Sequence, residues 1–394
     1  MSTRPLLMIP GPVEISPAVL AACSGPPPGH LSPPVMAAFS SALGRMRAVW
    51  RSTDDSQPFV VAGSGTTAMD MAAANLVEVG DSVLVVHTGF FSDRMAEMLR
   101  RRGARVCSVS APPGGVPETE EVAEALDDMK REGSPAQALF ATHVDTSTGV
   151  RIDPEPLARL ARQHGALSVF DGVCATGGQR FEMAAWDADV YLTGSQKAIG
   201  LPPGLALLVA SPRALARRNA LRASVPMGLD WLEWQPVMKA YEEKRPAYFA
   251  TPATPLILGL DVALGEILEH GVEARWAAHA RVACAITAAW NTLGLLPVPV
   301  EPRFQAHTLS ALKYPAGVDA SLVGKIAAHG VTVAGGLHPE IRNTYFRVGH
   351  MGYAITRPDM LLCTVDAVEA GLSECGHKVE RGVAVAALKA ALGA

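Results

Sequence analysis

The sequence predicts an α/β fold: a mostly parallel sheet covered by helices on both faces. Three observations carry this. Seven short apolar runs recur between about residue 58 and residue 210. Longer stretches with helical spacing separate most of them. The runs are continuous rather than alternating, which is the pattern of strands buried on both faces.

Taken in order, proline and glycine crowd residues 10–34, so this segment reads as an irregular arm. Residues 59–62 form the first strand, followed by a glycine turn and an Ala/Met-rich helical stretch. Residues 82–86 are a strand, 92–102 a helix closed by Gly103, and 105–109 a strand. A helix over 119–132 stops at Gly133, and 138–142 is the next strand. Asp153-Pro154 then supplies a cap and a first-turn proline for a helix that ends at Gly165. Residues 167–171, 190–193 and 205–210 are three further strands. Residues 224–255, with Trp231, Trp234, Tyr241, Tyr248 and several prolines, read as a connection. A long helix follows over about 255–270, and a second alternating region begins near 280. The expected division is an N-terminal arm (1–20), a large domain (21–255) and a smaller C-terminal α+β domain (256–394) that opens with the long linking helix.

Composition narrows the function. The chain has 394 residues, of which 49% are hydrophobic and 18% charged, so it is core-rich and long enough for two domains of ~100–200 residues. The charge of −4, from 34 basic and 38 acidic residues, excludes a basic nucleic-acid binder as the default and offers no membrane-surface patch. The six cysteines form no CxxC pair, which removes zinc-ribbon and thioredoxin readings and suits a reducing compartment. The longest apolar stretch, 198–210, is interrupted by Pro202 and Pro203 and is shorter than the ~20 residues of a bilayer span. No signal-peptide pattern opens the chain, and Leu392-Gly393-Ala394 is not a peroxisomal address. A soluble, cytoplasmic protein is expected.

Ligands of open α/β sheets bind beyond the carboxyl ends of the strands. Three of those ends carry chemistry here. Gly63-Ser64-Gly65-Thr66-Thr67 turns from a strand into a helix, where free backbone N–H groups and hydroxyls suit a phosphate. The same glycines match a dinucleotide fingerprint, but the next strand ends at His87-Thr88-Gly89 rather than at the acid that would hold a ribose. Asp171 closes a wholly apolar run. Lys197 follows a strand in a Gly/Ser turn and precedes apolar residues. Burial lowers a lysine's pKa, and such an amine forms Schiff bases. Phosphate turn, acid and lysine on one sheet edge are what pyridoxal phosphate requires.

At this point the chain resembles the class V aminotransferases of pyridoxal-phosphate fold type I, in particular those that act on alanine and glyoxylate. The resemblance rests on Ala62-Gly63-Ser64-Gly65-Thr66, Thr142-His143-Val144-Asp145-Thr146-Ser147-Thr148-Gly149, Gly194-Ser195-Gln196-Lys197-Ala198 and Phe346-Arg347-Val348-Gly349-His350, and runs from Pro10-Gly11-Pro12 to Gly352. It implies a seven-stranded, mostly parallel sheet and a homodimer with shared sites. It implies that Lys197 carries the cofactor aldehyde and that Asp171 faces the pyridine nitrogen. Ser64, Gly65, Thr66 and Gln196 would hold the phosphate, and Thr146 would contact the phenolic oxygen. Val173 and Phe91 would pack on the two ring faces. Tyr248 and Thr251 would reach the phosphate of the neighbouring subunit. Arg347 would grip the substrate carboxylate, with the backbone at Gly11 closing the pocket. The implied reaction moves an amino group from a small amino acid, alanine foremost, to glyoxylate by a ping-pong route, giving pyruvate and glycine.

The chain departs from the pattern where Phe91 replaces a common tryptophan and Gly172 a common serine or alanine. Other residues have plainer readings. His143 and Asp145 form an HxD pair with no convincing third ligand, so a hydrogen-bonded structural histidine is expected and no metal. Arg347 offers a planar, bidentate fork for a carboxylate. Cys174 reads as buried near the cofactor, which argues against a lyase or desulfurase with a mobile thiol. The competing functions are serine–glyoxylate, serine–pyruvate or pyridoxamine–pyruvate transamination. More remote are an NAD-dependent dehydrogenase and a non-catalytic pyridoxal-phosphate-binding regulator.

Overall fold

The computed structural model describes residues 4–393. Its centre is a sheet of seven strands: β1 (Gln57–Ala62), β2 (Ser82–His87), β3 (Arg105–Ser110), β4 (Ala138–Thr142), β5 (Leu167–Asp171), β6 (Val190–Gly194) and β7 (Leu205–Ala210). Their spatial order is β1-β7-β6-β5-β4-β2-β3. Neighbours from β6 to β3 run parallel. Only β7 is reversed, pairing antiparallel with both β1 and β6. The predicted mostly parallel sheet is present. Strands β4 to β7 are buried at every position, which is why they read as unbroken apolar runs. Edge strand β3 is partly exposed along its length.

The helices between the strands begin as their sequences dictate. Asp153 accepts from the Glu155 N–H at 3.2 Å, and Pro154 opens the helix Pro154–Gln163. Residues 10–34 are less irregular than expected. They contain the helix Pro17–Ser24 and the start of Pro33–Trp50. Each has a serine cap followed by proline, a start signal hidden by the density of prolines around it. The stretch read as a connection holds the helix Trp231–Glu242, whose Trp231 and Trp234 are buried.

Two main hydrophobic clusters organise the chain. The first surrounds the seven-stranded sheet and takes in Ile257, Leu260, Leu264 and Ile267 of the helix Thr254–Glu269. The second surrounds a three-stranded antiparallel sheet, β8 (Leu309–Lys313), β9 (Ala334–Gly335) and β10 (Tyr345–Gly349), with β10 central. The N-terminal strand Leu6–Leu7 pairs parallel with Val331–Thr332, so the start of the chain is tied to this second layer. Among the described residues no helix is long and apolar enough to cross a membrane.

Candidate active site

Three carboxyl ends of the large sheet meet at one place. Asp171, the last residue of β5, is buried and accepts from the Val173 N–H at 2.8 Å. Burial pushes its carboxyl up to about 7, although the Val173 bond works the other way. Lys197 lies just past β6 and is 8% exposed. Burial holds its amine below the ordinary lysine range, and the Arg347 guanidinium adds to this. Its Nζ donates to the Pro10 carbonyl.

The turn after β1 supplies the third wall. Ser64 caps the helix Gly65–Leu76; its hydroxyl accepts from the Thr67 N–H at 3.4 Å, while the Thr67 hydroxyl accepts from the Ser64 N–H at 3.1 Å. Thr67 is thus occupied by the helix, whereas Ser64 and Thr66 are exposed beside its first turn. Gly65 is buried so tightly that a Cβ would stand 2.6 Å from Val173 Cγ2. A Cβ on Gly194 would meet Gln196 Oε1 at 2.8 Å and the Gly65 nitrogen at 2.9 Å. The Gln196 oxygen is buried there without a hydrogen-bond partner.

Arg347 arrives from β10. Its Nη1 donates to the Thr146 carbonyl at 3.1 Å and its Nε to the Gly335 carbonyl at 2.8 Å. The N-terminal segment threads between Arg347's strand and Lys197. The Gly349 N–H donates to the Met8 carbonyl at 2.7 Å, and a Cβ on Gly11 would fall 2.3 Å from Lys197 Cδ. Gly11 has a φ of +88°, so both conformation and space call for glycine.

A buried amine, a buried carboxyl and a helix N-terminus therefore meet at one edge of the large sheet, with a guanidinium from β10 near the amine. The family model for "Aminotransferase class-V" matches residues 39–353. The chain belongs to the class V aminotransferases. It is 39% identical to alanine–glyoxylate aminotransferase 1 of Saccharomyces cerevisiae, over 88% of this chain and 91% of that one. It is 32% identical to the L-aspartate–glyoxylate aminotransferase of Paracoccus denitrificans, over 98% of this chain and 96% of that one. Among solved structures, alanine–glyoxylate aminotransferase from Nostoc sp. superposes with a TM-score of 0.87 at 31% identity, covering 94% of this chain and 96% of that chain.

The residues present fit the class's cofactor, pyridoxal phosphate, in three respects. The lysine amine is buried with its proton affinity lowered, a buried carboxyl stands at the end of β5, and the helix that starts at Gly65 has its N-terminus beside exposed Ser64 and Thr66. Phe91 is half-buried; its N–H donates to Asp145 at 3.1 Å, and the Arg94 guanidinium lies over its ring at 5.2 Å. Tyr248 and Thr251 are placed elsewhere. Tyr248 is 60% exposed, with its hydroxyl 3.2 Å from Thr251 Oγ1 and its ring 5.3 Å from that of His30.

Several contributors escaped the sequence reading. Asp145 is a buried clamp. Its carboxylate accepts from the Ser147 N–H (2.9 Å) and hydroxyl (2.6 Å) and from the Phe91 and Ser92 N–H groups, fixing the start of the helix Phe90–Arg101. Arg94 donates to the Thr66 hydroxyl at 3.1 Å, linking that helix to the glycine turn. His143 is the hydrogen-bonded histidine expected: its Nδ1 lies 2.8 Å from the Tyr191 hydroxyl, and its backbone N–H donates to the Asp171 carbonyl at 2.9 Å. Tyr191 also explains Gly172, because a Cβ there would lie 2.2 Å from the Tyr191 ring. Helical or strand periodicity signals none of these, since each depends on a partner distant in the chain.

Proposed function

We propose that this aminotransferase moves the amino group of alanine to glyoxylate, giving pyruvate and glycine by a ping-pong route. The carrying observation is Arg347: its guanidinium, close enough to Lys197 to lower the lysine's proton affinity, can pair with a substrate carboxylate beside that amine, and the Gly11 backbone packs on the lysine stem. Alanine as donor follows the two alanine–glyoxylate relatives. The three relatives reported above support glyoxylate as acceptor, because each name carries it, with alanine as donor in two and aspartate in one.

Pyridoxal phosphate, when bound, supplies an aldehyde for the amine and a ring that draws electrons from Cα. Lys197 would hold it covalently, Asp171 would face its ring nitrogen, and Ser64, Gly65, Thr66 and Gln196 would bind its phosphate. Val173 and Phe91 would flank the ring, and Thr146 would approach its phenolic oxygen. Arg347 orients the substrate through a bidentate pair with the carboxylate. Lys197, its proton affinity lowered by burial, takes the proton from the substrate Cα and returns one to Cα of the product amino acid in the second half-reaction. Such general base help is worth ~10²–10⁴-fold. Tyr248 and Thr251, exposed on the single chain, would complete the phosphate site of a second subunit in a cytoplasmic homodimer.

The test is a panel of donors against glyoxylate with the purified chain. Alanine is expected to give stoichiometric pyruvate and glycine. Turnover with serine or aspartate but not alanine would overturn the donor assignment. Turnover with pyridoxamine and pyruvate alone would overturn the acceptor as well.

A further inference from the structure

Two backbone carbonyls set the direction in which Arg347 points. Its Nε donates to the Gly335 carbonyl at 2.8 Å and its Nη1 to the Thr146 carbonyl at 3.1 Å. A guanidinium has five N–H donors. The other three, two on Nη2 and one on Nη1, have no protein partner among the described residues. The carbonyls therefore hold one part of the fork and leave the rest to a ligand.

Those carbonyls lie on two segments far apart in the chain. Thr146 is in the turn between the short strands Val144–Asp145 and Val150–Arg151. Gly335 ends β9 and begins the strap that runs to β10. Of residues 336–344 only His338 is buried, so packing in the core does little to place the strap.

Tyr345 joins the two segments. It is 0% exposed, and its ring packs with Val298 and Ala311. Its hydroxyl donates to the Ser147 carbonyl and accepts from the Leu337 and His338 N–H groups, each at 2.9 Å. One proton and two lone pairs are all that a hydroxyl has, so its capacity is spent on this junction. The strap lies close on the ring as well. A Cβ on Gly336 would stand 2.7 Å from Tyr345 Cε1 and 2.3 Å from the Arg342 carbonyl oxygen.

We propose that Tyr345 is a positioning residue for substrate recognition. By clamping residues 146–147 to the strap, it fixes the two carbonyls that aim the Arg347 guanidinium. This rests on the reading of Arg347 as the group that takes the substrate carboxylate. A fork ordered in advance need not be ordered when the substrate binds, which favours affinity. Loss of the hydroxyl keeps the ring packing but frees the strap, so the effect falls on substrate affinity rather than on proton transfer at Lys197.

The test compares wild type, Tyr345→Phe, Arg347→Met and the double variant, each loaded with pyridoxal phosphate. Steady-state kinetics give kcat and KM for the amino donor. Calorimetry gives the dissociation constant of propionate, a carboxylate with neither an amino nor a keto group. Tyr345→Phe is expected to raise KM and to weaken propionate binding about tenfold, the scale of one hydrogen bond, with kcat within about twofold of wild type. In the Arg347→Met background the same substitution should change neither constant. Equal effects in both backgrounds, a fall in kcat at unchanged KM, or a lower melting temperature with unchanged propionate affinity would overturn the proposal. Gly336→Ala displaces the strap while keeping the hydroxyl, which keeps the test decisive if Tyr345→Phe folds poorly. It should raise KM as well, and a folded Gly336→Ala protein with wild-type KM would also refute the clamp. If Arg347→Met binds propionate as wild type does, the carboxylate role of Arg347 falls and this inference with it. If Arg347→Met alone weakens propionate, that role stands and Tyr345 has no part in it.

Discussion

Replacing Gly172 by alanine tests whether the acid at the end of β5 is positioned by its neighbour's bulk. The new Cβ would stand 2.2 Å from Tyr191 Cζ, 2.4 Å from Cε1 and 2.6 Å from the hydroxyl oxygen, against an ordinary contact of 3.4 Å or more. A shift of about 1.2 Å is therefore required. The ring has nowhere to go: Tyr191 is 1% exposed, stacks on Phe181 at 3.7 Å between centroids, and is anchored through the His143 bond. Overpacking of this kind costs about 1–3 kcal/mol, and three close atoms place it at the upper end. With an unfolding entropy of about 2.1 cal/mol/K per residue, a cooperative chain of this size loses roughly 4 °C in Tm for 3 kcal/mol. Scanning fluorimetry reads this directly. The decisive comparison is Tyr191→Leu with and without Gly172→Ala, because the vacated ring space admits the new methyl. The double variant is expected to be more stable than the sum of the single effects by about 1 kcal/mol or more. Strict additivity, or a Gly172→Ala protein as stable as wild type, would refute the steric argument.

Asp171→Asn should change the pH dependence of the cofactor-free protein. With a folded value of about 7 against an unfolded one near 4, the native state holds the proton longer. The contribution is fully favourable below about pH 4 and is lost as pH rises through 7, on the order of 4 kcal/mol in all. Thermal melts from pH 4 to 8 should fall more steeply for wild type than for the variant; parallel curves would remove the argument. Lys197→Ala should yield no label after borohydride reduction of the cofactor-loaded protein, and a variant that transaminates at the wild-type rate would displace this lysine from its role. Arg347→Met should raise KM for carboxylate substrates about 30-fold, from loss of about 2 kcal/mol of charged hydrogen bonding; an effect confined to melting temperature would make the arginine structural. Asp230→Ala leaves Arg218 buried and unpaired, having broken bonds of 2.9 and 2.5 Å, and removes a cap on the Leu232 N–H. It should cost about 3–5 kcal/mol in urea denaturation with little change in substrate KM.

The sheet and its functional edge were legible because buried parallel strands leave a plain trace. Strands β4, β5 and β7 have the predicted bounds, and Asp171 and Lys197 stand immediately beyond apolar runs. The helices Pro17–Ser24 and Pro33–Trp50 were not legible, because the prolines read as marks of an irregular arm when they were serving as first-turn residues. Asp145 was visible only as half of a ligand-like pair; its partners Phe91 and Ser92 lie more than fifty positions away. Gly172 stood out as a departure, but its cause, the ring of Tyr191, lies on the next strand of the sheet.

The electrostatics of the pocket tie substrate binding to base strength. Lys197 and Arg347 are two cationic groups in one buried space, and burial lowers the proton affinity of both. Arg347 further lowers that of Lys197, whose Nζ is left with the Pro10 carbonyl as acceptor. The proton affinity of the amine is therefore lowered by burial and by Arg347, with Cys174 and Asp171 working the other way. On the proposed roles, a substrate carboxylate paired with Arg347 would cancel the field of that guanidinium and make the amine more basic. The gain would come when Lys197 accepts a proton, and only with substrates that carry a carboxylate. The N-terminal segment completes the arrangement, because Gly349 holds Met8 in place and Gly11 presses the lysine stem toward the sheet edge. One guanidinium would thus serve both as an anchor and as a regulator of the base. An uncharged isostere of a substrate would lose rate as well as affinity.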